Sequence, residues 1–218
     1  MRKELIIILL TVLILLFSKA NVHAYFFANE GCTAYEGGCE QGIRDATKTI
    51  KGYIIDGAGY FLKSNSDMQL FLSKIELSEL NGTDYSELQN IINSAIENME
   101  NAKETYINLI SIAKRTPYNP SVIEKLQLFD YSSFQEKNKL NADIFKQVET
   151  FLSNGNVNGI FEKLKEDMEN ILKKLYNIKS GVDSSRFPEL SELWQVNQMN
   201  SVTMLFGQYA TEIFYALK

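Results

Sequence analysis

Histidine is all but missing from this 218-residue chain, and the one copy, His23, falls in a segment expected to be removed. Its loss takes away the side chain most used for acid-base work near neutral pH and the commonest transition-metal ligand. Proline is scarce, at three residues, and no low-complexity tract or long block of like charge occurs, so the chain offers no linker at which two domains would part. Basic residues are the minority, 22 against 27 acidic, for a net charge of −5. An acidic surface repels nucleic acid and anionic lipid, which are not expected as partners. Also absent are a Gly-x-Ser-x-Gly elbow, a phosphate loop, a histidine zinc motif and a haem attachment pair, and no cofactor or metal is expected.

Long apolar runs are missing as well, with one exception. Leu5 to Phe17, interrupted only by Thr11, is about 13 residues long, short of the roughly 20 that cross a bilayer. Arg2 and Lys3 precede it, and Val22-His23-Ala24 supplies small residues where a signal peptidase reads. The expectation is a secretory signal peptide over 1–24, cleaved after Ala24, and an exported protein, periplasmic or extracellular, with no stable membrane span. The competing reading is an uncleaved anchor. Removing Arg2, Lys3, Lys19 and Glu4 leaves 19 basic and 26 acidic residues and a net charge of −7. The remaining 25–218 suffices for one domain with a sizeable core.

In an exported protein the only two cysteines, Cys32 and Cys39, read first as a disulfide. A continuous helix would hold their Cα atoms about 10 Å apart, beyond bridging range. Gly37-Gly38 lets the chain double back. The bridge would tie an N-terminal arm, 25–40, beside the first helix and stabilise by about 2.5 kcal/mol. A redox role is weaker, because the spacing is not Cys-x-x-Cys and Glu30, Glu36 and Glu40 disfavour a thiolate.

What is abundant is helical periodicity. Leu88, Ile92, Ala95, Met99, Ala102, Tyr106, Leu109 and Ala113 recur at steps of four and three, which lines them along one side of a helix. Ile91, Ile96 and Ile110 widen the stripe to that of a core-facing bundle helix rather than a two-stranded coiled coil. Asp84 with Glu87 reads as its capping box, with Thr83 as the competing cap, and Lys114, Arg115 and Pro117 mark its end. A second long seam is Val157, Phe161, Leu164, Met168, Ile171, Leu175 and Ile178, with Lys163–Asp167 and Glu169–Lys173 as solvated pairs and Gly181 as the stop.

Before the first seam, 39–63 is helix-like despite Gly42, Gly52, Gly57 and Gly59, some of which must serve close approach to a neighbour. A break is expected near Ser64-Asn65-Ser66, then helix over 67–80. After it, Ser121 with Glu124 opens a short helix to about Phe129, 130–139 is unassigned, and helix resumes at Asn141 to stop at Asn154-Gly155. The last segment, 188–217, has no charge from Leu193 to Thr211. That pattern fits a central or sandwiched helix, or else a surface helix presenting an uncharged face to another protein.

Residues resembling chemical sites are few. Asn154 to Gly159 imitates a calcium loop, but amides replace carboxylates and Lys165 stands where the bidentate ligand belongs. Ser111 and Lys114 have Ser-x-x-Lys spacing without companion motifs. Asp56-Gly57-Ala58-Gly59 lacks the preceding strand and third glycine of a dinucleotide loop.

The expected fold is all-α: an elongated up-and-down bundle of four to five main helices with a disulfide-tied N-terminal arm. The expected function is that of an exported, non-enzymatic helical protein binding other proteins, as part of an envelope or secretion assembly. The alternative is a bundle carrying or sensing a small apolar molecule between helices lined by Trp194, Phe206 and Tyr209. A carboxylate-based hydrolase is the minor alternative.

Overall fold

The computed structural model describes residues 38–81, 84–115 and 118–217, with side chains over 49–76, 84–115 and 118–217. The expected signal peptide, residues 25–37 of the expected arm and the Cys32–Cys39 bridge lie outside the described residues, while the arm's last three residues, 38–40, already belong to the first helix. Among the described residues seven helices follow in order: α1 (Gly38–Asn81), α2 (Tyr85–Ala113), α3 (Pro120–Gln127), α4 (Tyr131–Asn138), α5 (Ala142–Leu152), α6 (Val157–Asp183) and α7 (Leu190–Ala216). Among the described residues there is no strand, and no helix is long and apolar enough to cross a membrane.

Four long helices, α1, α2, α6 and α7, form the body. Successive cross-links show that neighbours run in opposite directions. Ser64 Oγ donates to the Ala95 carbonyl (2.7 Å), and Lys74 pairs with Glu87 between α1 and α2. Lys114 pairs with Glu162, and Tyr176 donates to Glu100 between α2 and α6. Lys174 donates to Gln195 between α6 and α7 (2.9 Å), and Gln69 to Asn197 between α1 and α7 (2.6 Å). The packing is extensive along α1–α2 and α2–α6, moderate along α6–α7 and slight along α1–α7.

The seam of α2 is buried throughout, and that of α6 is buried except for the half-buried Phe161. Asp84 caps α2, accepting from the Ser86 and Glu87 amides. Glu87 turns to Lys74 instead of closing a capping box.

The short helices α3, α4 and α5 fill the passage from the end of α2 to the start of α6. Aromatic rings join them to the body. Phe129 lies 5.1 Å from Tyr131 and 5.3 Å from Phe134, those two rings lie 6.3 and 6.2 Å from Phe145, and Phe145 lies 6.3 Å from Tyr209 of α7. Burial, helped by the nearby Glu149 carboxylate, pushes the Tyr131 phenol above its ordinary pKa, and its hydroxyl donates to the Leu126 carbonyl (2.8 Å). Residues 131–138, unassigned from the sequence, form α4 on an Asp130 cap. The Ser133 amide and hydroxyl hold that carboxyl below its usual range.

Several expectations need correction. No break occurs at Ser64-Asn65-Ser66, because α1 is one helix of 44 residues, about 66 Å long. Ser64 is buried and bonded to α2, and Asp67 accepts from Ser94 (2.8 Å) and Asn98 (3.0 Å). Ser64, which suggested a breaker, is with Asp67 a tie to the neighbouring helix. Likewise α3 starts at Pro120, one residue before the expected Ser121 cap, because the Asn119 side chain accepts from the Ser121 amide and proline suits the first helical position. It ends at Gln127, not Phe129.

Gly181 does not stop α6, which continues to Asp183. The left-handed residue past its end is Ser185 (φ 52°), while the Ser184 and Arg186 amides both donate to the Gly181 carbonyl. Lys165, not Lys173, pairs with Glu169, and Lys163–Asp167 is substantially buried rather than solvated. Finally, α7 is sandwiched over only part of its length. From Leu190 to Ser201 it buries Leu193, Val196 and Asn200 and exposes Leu190, Trp194, Gln195, Gln198 and Ser201, whereas from Val202 to Tyr215, packed among α1, α5 and α6, no residue is exposed.

Candidate functional site

Three places combine accessibility with uncommon chemistry. The first is the outer face shared by α1 and α7. Along α1, Ile55, Leu62 and Gln69 follow at seven-residue steps, and along α7 so do Leu190, Asn197 and Met204, with Trp194, Ser201 and Gln208 beside them. Seven residues are two helical turns, so each set is a straight stripe. The Gln69–Asn197 bond sets these stripes on either side of the α1–α7 seam. Charges within this span of α1, at Asp56, Lys63 and Asp67, recur along the flank toward α2, where Asp67 meets Ser94. From Ile55 to Ser73 on α1 and from Leu190 to Gln208 on α7 the outer face carries apolar, hydroxyl and amide groups only, and it is bounded by the exposed Glu76, the next seven-residue step on α1, and by Glu212, which accepts from Gln208. Trp194 is 67 % exposed there, the most exposed aromatic ring among the described residues, with Leu190 and Ile55 also exposed.

The second is a cavity of about 40 Å³ where the four long helices meet, lined by Ala58, Phe61, Tyr106, Leu164, Met168, Thr203, Met204, Gly207 and Gln208. Its lining is nearly all apolar, and burial pushes the Tyr106 phenol above its ordinary pKa. One turn away lies Asn200, 1 % exposed, whose side-chain oxygen and nitrogen make no hydrogen bond among the described residues. The Asn65 side-chain oxygen is in the same condition. Since Gln69 lies one turn after Asn65 on α1 and Asn197 one turn before Asn200 on antiparallel α7, the two orphaned amides stand at one level of the same seam. Sites for organic ligands are roughly tenfold larger than this cavity.

The third is an open groove of about 440 Å³ between α2 and α6, lined by Ile107, Ile110, Lys114, Glu162, Lys165, Glu166 and Glu169. Lys114 engages Glu162, and Lys165 engages Glu169. An acid-base carboxyl pair needs one member kept protonated by its surroundings. Asp167 is raised by burial, with its bond to Lys163 opposing the shift, but it lies on the α7 side of α6 and outside this groove.

The structure separates the three residues expected to line a ligand. Trp194 faces out, about 18 Å along α7 from Phe206. Phe206 is 1 % exposed, edge-on to Phe151 (6.1 Å) with the Lys163 ammonium 5.9 Å from its centre. Tyr209 packs on Phe145, and its hydroxyl accepts from the Asn141 amide (3.0 Å). None of the three lines the cavity. Ser111 accepts from Arg115, and Lys114 belongs to Glu162. The Asn154 to Gly159 loop is a turn: Gly155 is left-handed (φ 68°), Asn156 caps α6, and Asn158 accepts from Tyr118. No group of three His, Cys, Asp or Glu side chains able to hold a metal occurs among the described residues.

Sequence reasoning missed Asn65, whereas Asn200 belongs to the uncharged stretch after Leu193, whose amides need partners if buried.

No protein-family model, curated protein or solved structure matches this chain.

Proposed function

We propose that this chain is a non-enzymatic, exported helical protein that binds other proteins, as a component of an envelope or secretion assembly. The observation that carries the reading is the uncharged α1–α7 face with Trp194 standing out of it. Charged residues make up 22 % of the chain, so a face of two helices free of them departs from the rest of the surface. Interfaces deplete charge at their centres and draw binding energy from Trp, Tyr and Arg. The body suits the role, since antiparallel helices tied by Ser64, Asp67 and Gln69 hold the face in place.

The test is a photo-crosslinking side chain placed at Trp194 and, separately, at Leu128, which is exposed just past the end of α3. In cells that make the protein, the expected result is a discrete adduct from position 194 and none from 128. Equal labelling at both, or at neither, contradicts the reading.

One observation favours the bundle as a carrier of a small apolar molecule: the orphaned Asn200 amide beside an apolar cavity. Occupancy by anything beyond a few atoms requires α1 and α7 to part. A melting temperature raised by small apolar compounds, with Asn200→Leu abolishing the rise, would support it, and no rise would remove it.

A further inference from the structure

We propose that the α1–α7 seam holds one buried water molecule, bound between the side chains of Asn65 and Asn200. The inference is independent of the binding face described above.

Register is the first argument. Gln69 and Asn197 are bonded across the seam (2.6 Å), and Phe61 and Met204 meet again at the cavity. From the first pair to the second, α1 steps back by eight residues and α7 forward by seven, as antiparallel helices do. Asn65 and Asn200 fall midway, four and three residues from the bonded pair and four each from the pair at the cavity. Steps of three and four keep a residue on one side of a helix, so each asparagine stays on the side that faces the other helix.

Valence is the second. Asn200 is 1 % exposed, and its side-chain oxygen and nitrogen are both without a hydrogen-bond partner among the described residues, as is the buried side-chain oxygen of Asn65. The seam thus presents two acceptors and one donor group at one level. A direct bond from the Asn200 nitrogen to the Asn65 oxygen would satisfy that pair and leave the Asn200 oxygen alone. A water molecule donates to both oxygens and accepts from the nitrogen, so all three atoms are satisfied at once. Buried waters characteristically make about three hydrogen bonds to groups that the protein leaves unpaired.

Charge and size exclude other occupants. An anion would meet two carbonyl oxygens and a cation the amide hydrogens, and an ion stripped of its hydration needs a countercharge. The carboxylate of Asp67, two residues from Asn65, is turned to α2, where it accepts from Ser94 and Asn98. An apolar molecule would leave all three atoms unpaired. The neighbouring cavity of about 40 Å³ admits water by volume, but its lining is nearly all apolar and supplies too few partners, so the water belongs beside the amides. A hydrated step also fits the slight packing of α1 on α7.

The experiment is nuclear magnetic resonance of the isotopically labelled full chain, recording laboratory-frame and rotating-frame Overhauser effects from water to the side-chain amide protons. A water held for longer than the molecule takes to tumble gives the two effects opposite signs. Amide protons that exchange with bulk water give them the same sign, and the exposed Asn138 amide is the reference for that behaviour. The expected result is opposite signs at the Asn200 amide protons. Asn65→Ala removes one of the three partners and is expected to abolish the opposite-signed pair at Asn200, with helix content by circular dichroism unchanged. Should that variant fail to fold, the signs in the wild type decide. Effects of the same sign at Asn200 would mean that its amide opens to bulk water, and no effect there would mean that a protein group is its partner. An opposite-signed pair that survives Asn65→Ala would mean that Asn65 does not hold the water. Each of these three results overturns the proposal.

Discussion

Gly52, Gly57 and Gly59 sit within three turns of α1, and their neighbours give them opposite roles. A Cβ on Gly57 would stand 2.8 and 3.0 Å from the buried Tyr106 ring and 3.3 Å from the Thr105 methyl, whereas at Gly52 and Gly59 nothing lies within 4 Å. Gly57→Ala is therefore expected to destabilise by about 1 to 3 kcal/mol through overpacking. Gly52→Ala and Gly59→Ala should each stabilise by up to about 1 kcal/mol, because alanine loses less freedom in a helix. Urea melts of the three variants decide this, and three shifts of one sign would be wrong. The sequence showed that some glycine must admit a neighbour. Which one depends on Tyr106, 49 positions on, and no local pattern carries that.

Asp167 is the residue whose charge burial penalises most visibly. Its carboxyl is raised by desolvation, with the Lys163 bond and charge opposing and Glu166 adding to the rise. A carboxyl with a folded pKa above its unfolded value favours the folded state when protonated, so its contribution weakens as pH rises from the unfolded value through the folded one. Asp167→Asn removes that dependence. The melting temperature of the variant minus that of the wild type should be greater at pH 7 than at pH 4. A difference independent of pH would show that Asp167 titrates normally.

At the scale of elements, the long seams of α2 and α6 were legible because a period of three and four needs only the element's own residues. The continuity of α1 was not. Ser, Asn and Asp compete locally for backbone bonds and so resemble a break, but here Ser64 and Asp67 are spent on Ala95, Ser94 and Asn98. Amide exchange at residues 64–68 should accordingly be as slow as in the flanking turns. Fast exchange confined to those residues would mean two helices. Helix α4 was hidden for a different reason. It has one buried residue, Tyr131, and is held by rings from α5 and the α3–α4 turn rather than by a stripe of its own. At the other extreme the Asp84 cap was read correctly, and Asp84→Ala should cost about 1 kcal/mol in thermal or urea melts. A variant as stable as the wild type would mean that α2 begins elsewhere.

Across the whole molecule, the all-α bundle followed from composition and period, but the order of its helices did not. Slight contact between α1 and α7 is a property of packing, and it puts Trp194 outside while Phe206 and Tyr209 go in. The sequence showed an uncharged final helix and left its surroundings open. The structure resolves this by exposing one side of α7 as far as Ser201, where the uncharged composition becomes a surface, and by leaving no residue exposed from Val202 to Tyr215. Trp194, Phe206 and Tyr209 are separated, and none of them lines the cavity between the four long helices.

The central claim is that α7 turns its uncharged side, with the lone tryptophan, to the solvent of the isolated protein. Acrylamide quenching of tryptophan fluorescence in dilute solution tests it most directly. The expected result is emission at the wavelength of indole in water and quenching nearly as efficient as for a free tryptophan derivative. Blue-shifted emission resistant to acrylamide in the dilute monomer would mean that α7 is covered by this chain itself, and the proposed binding face would be lost with it.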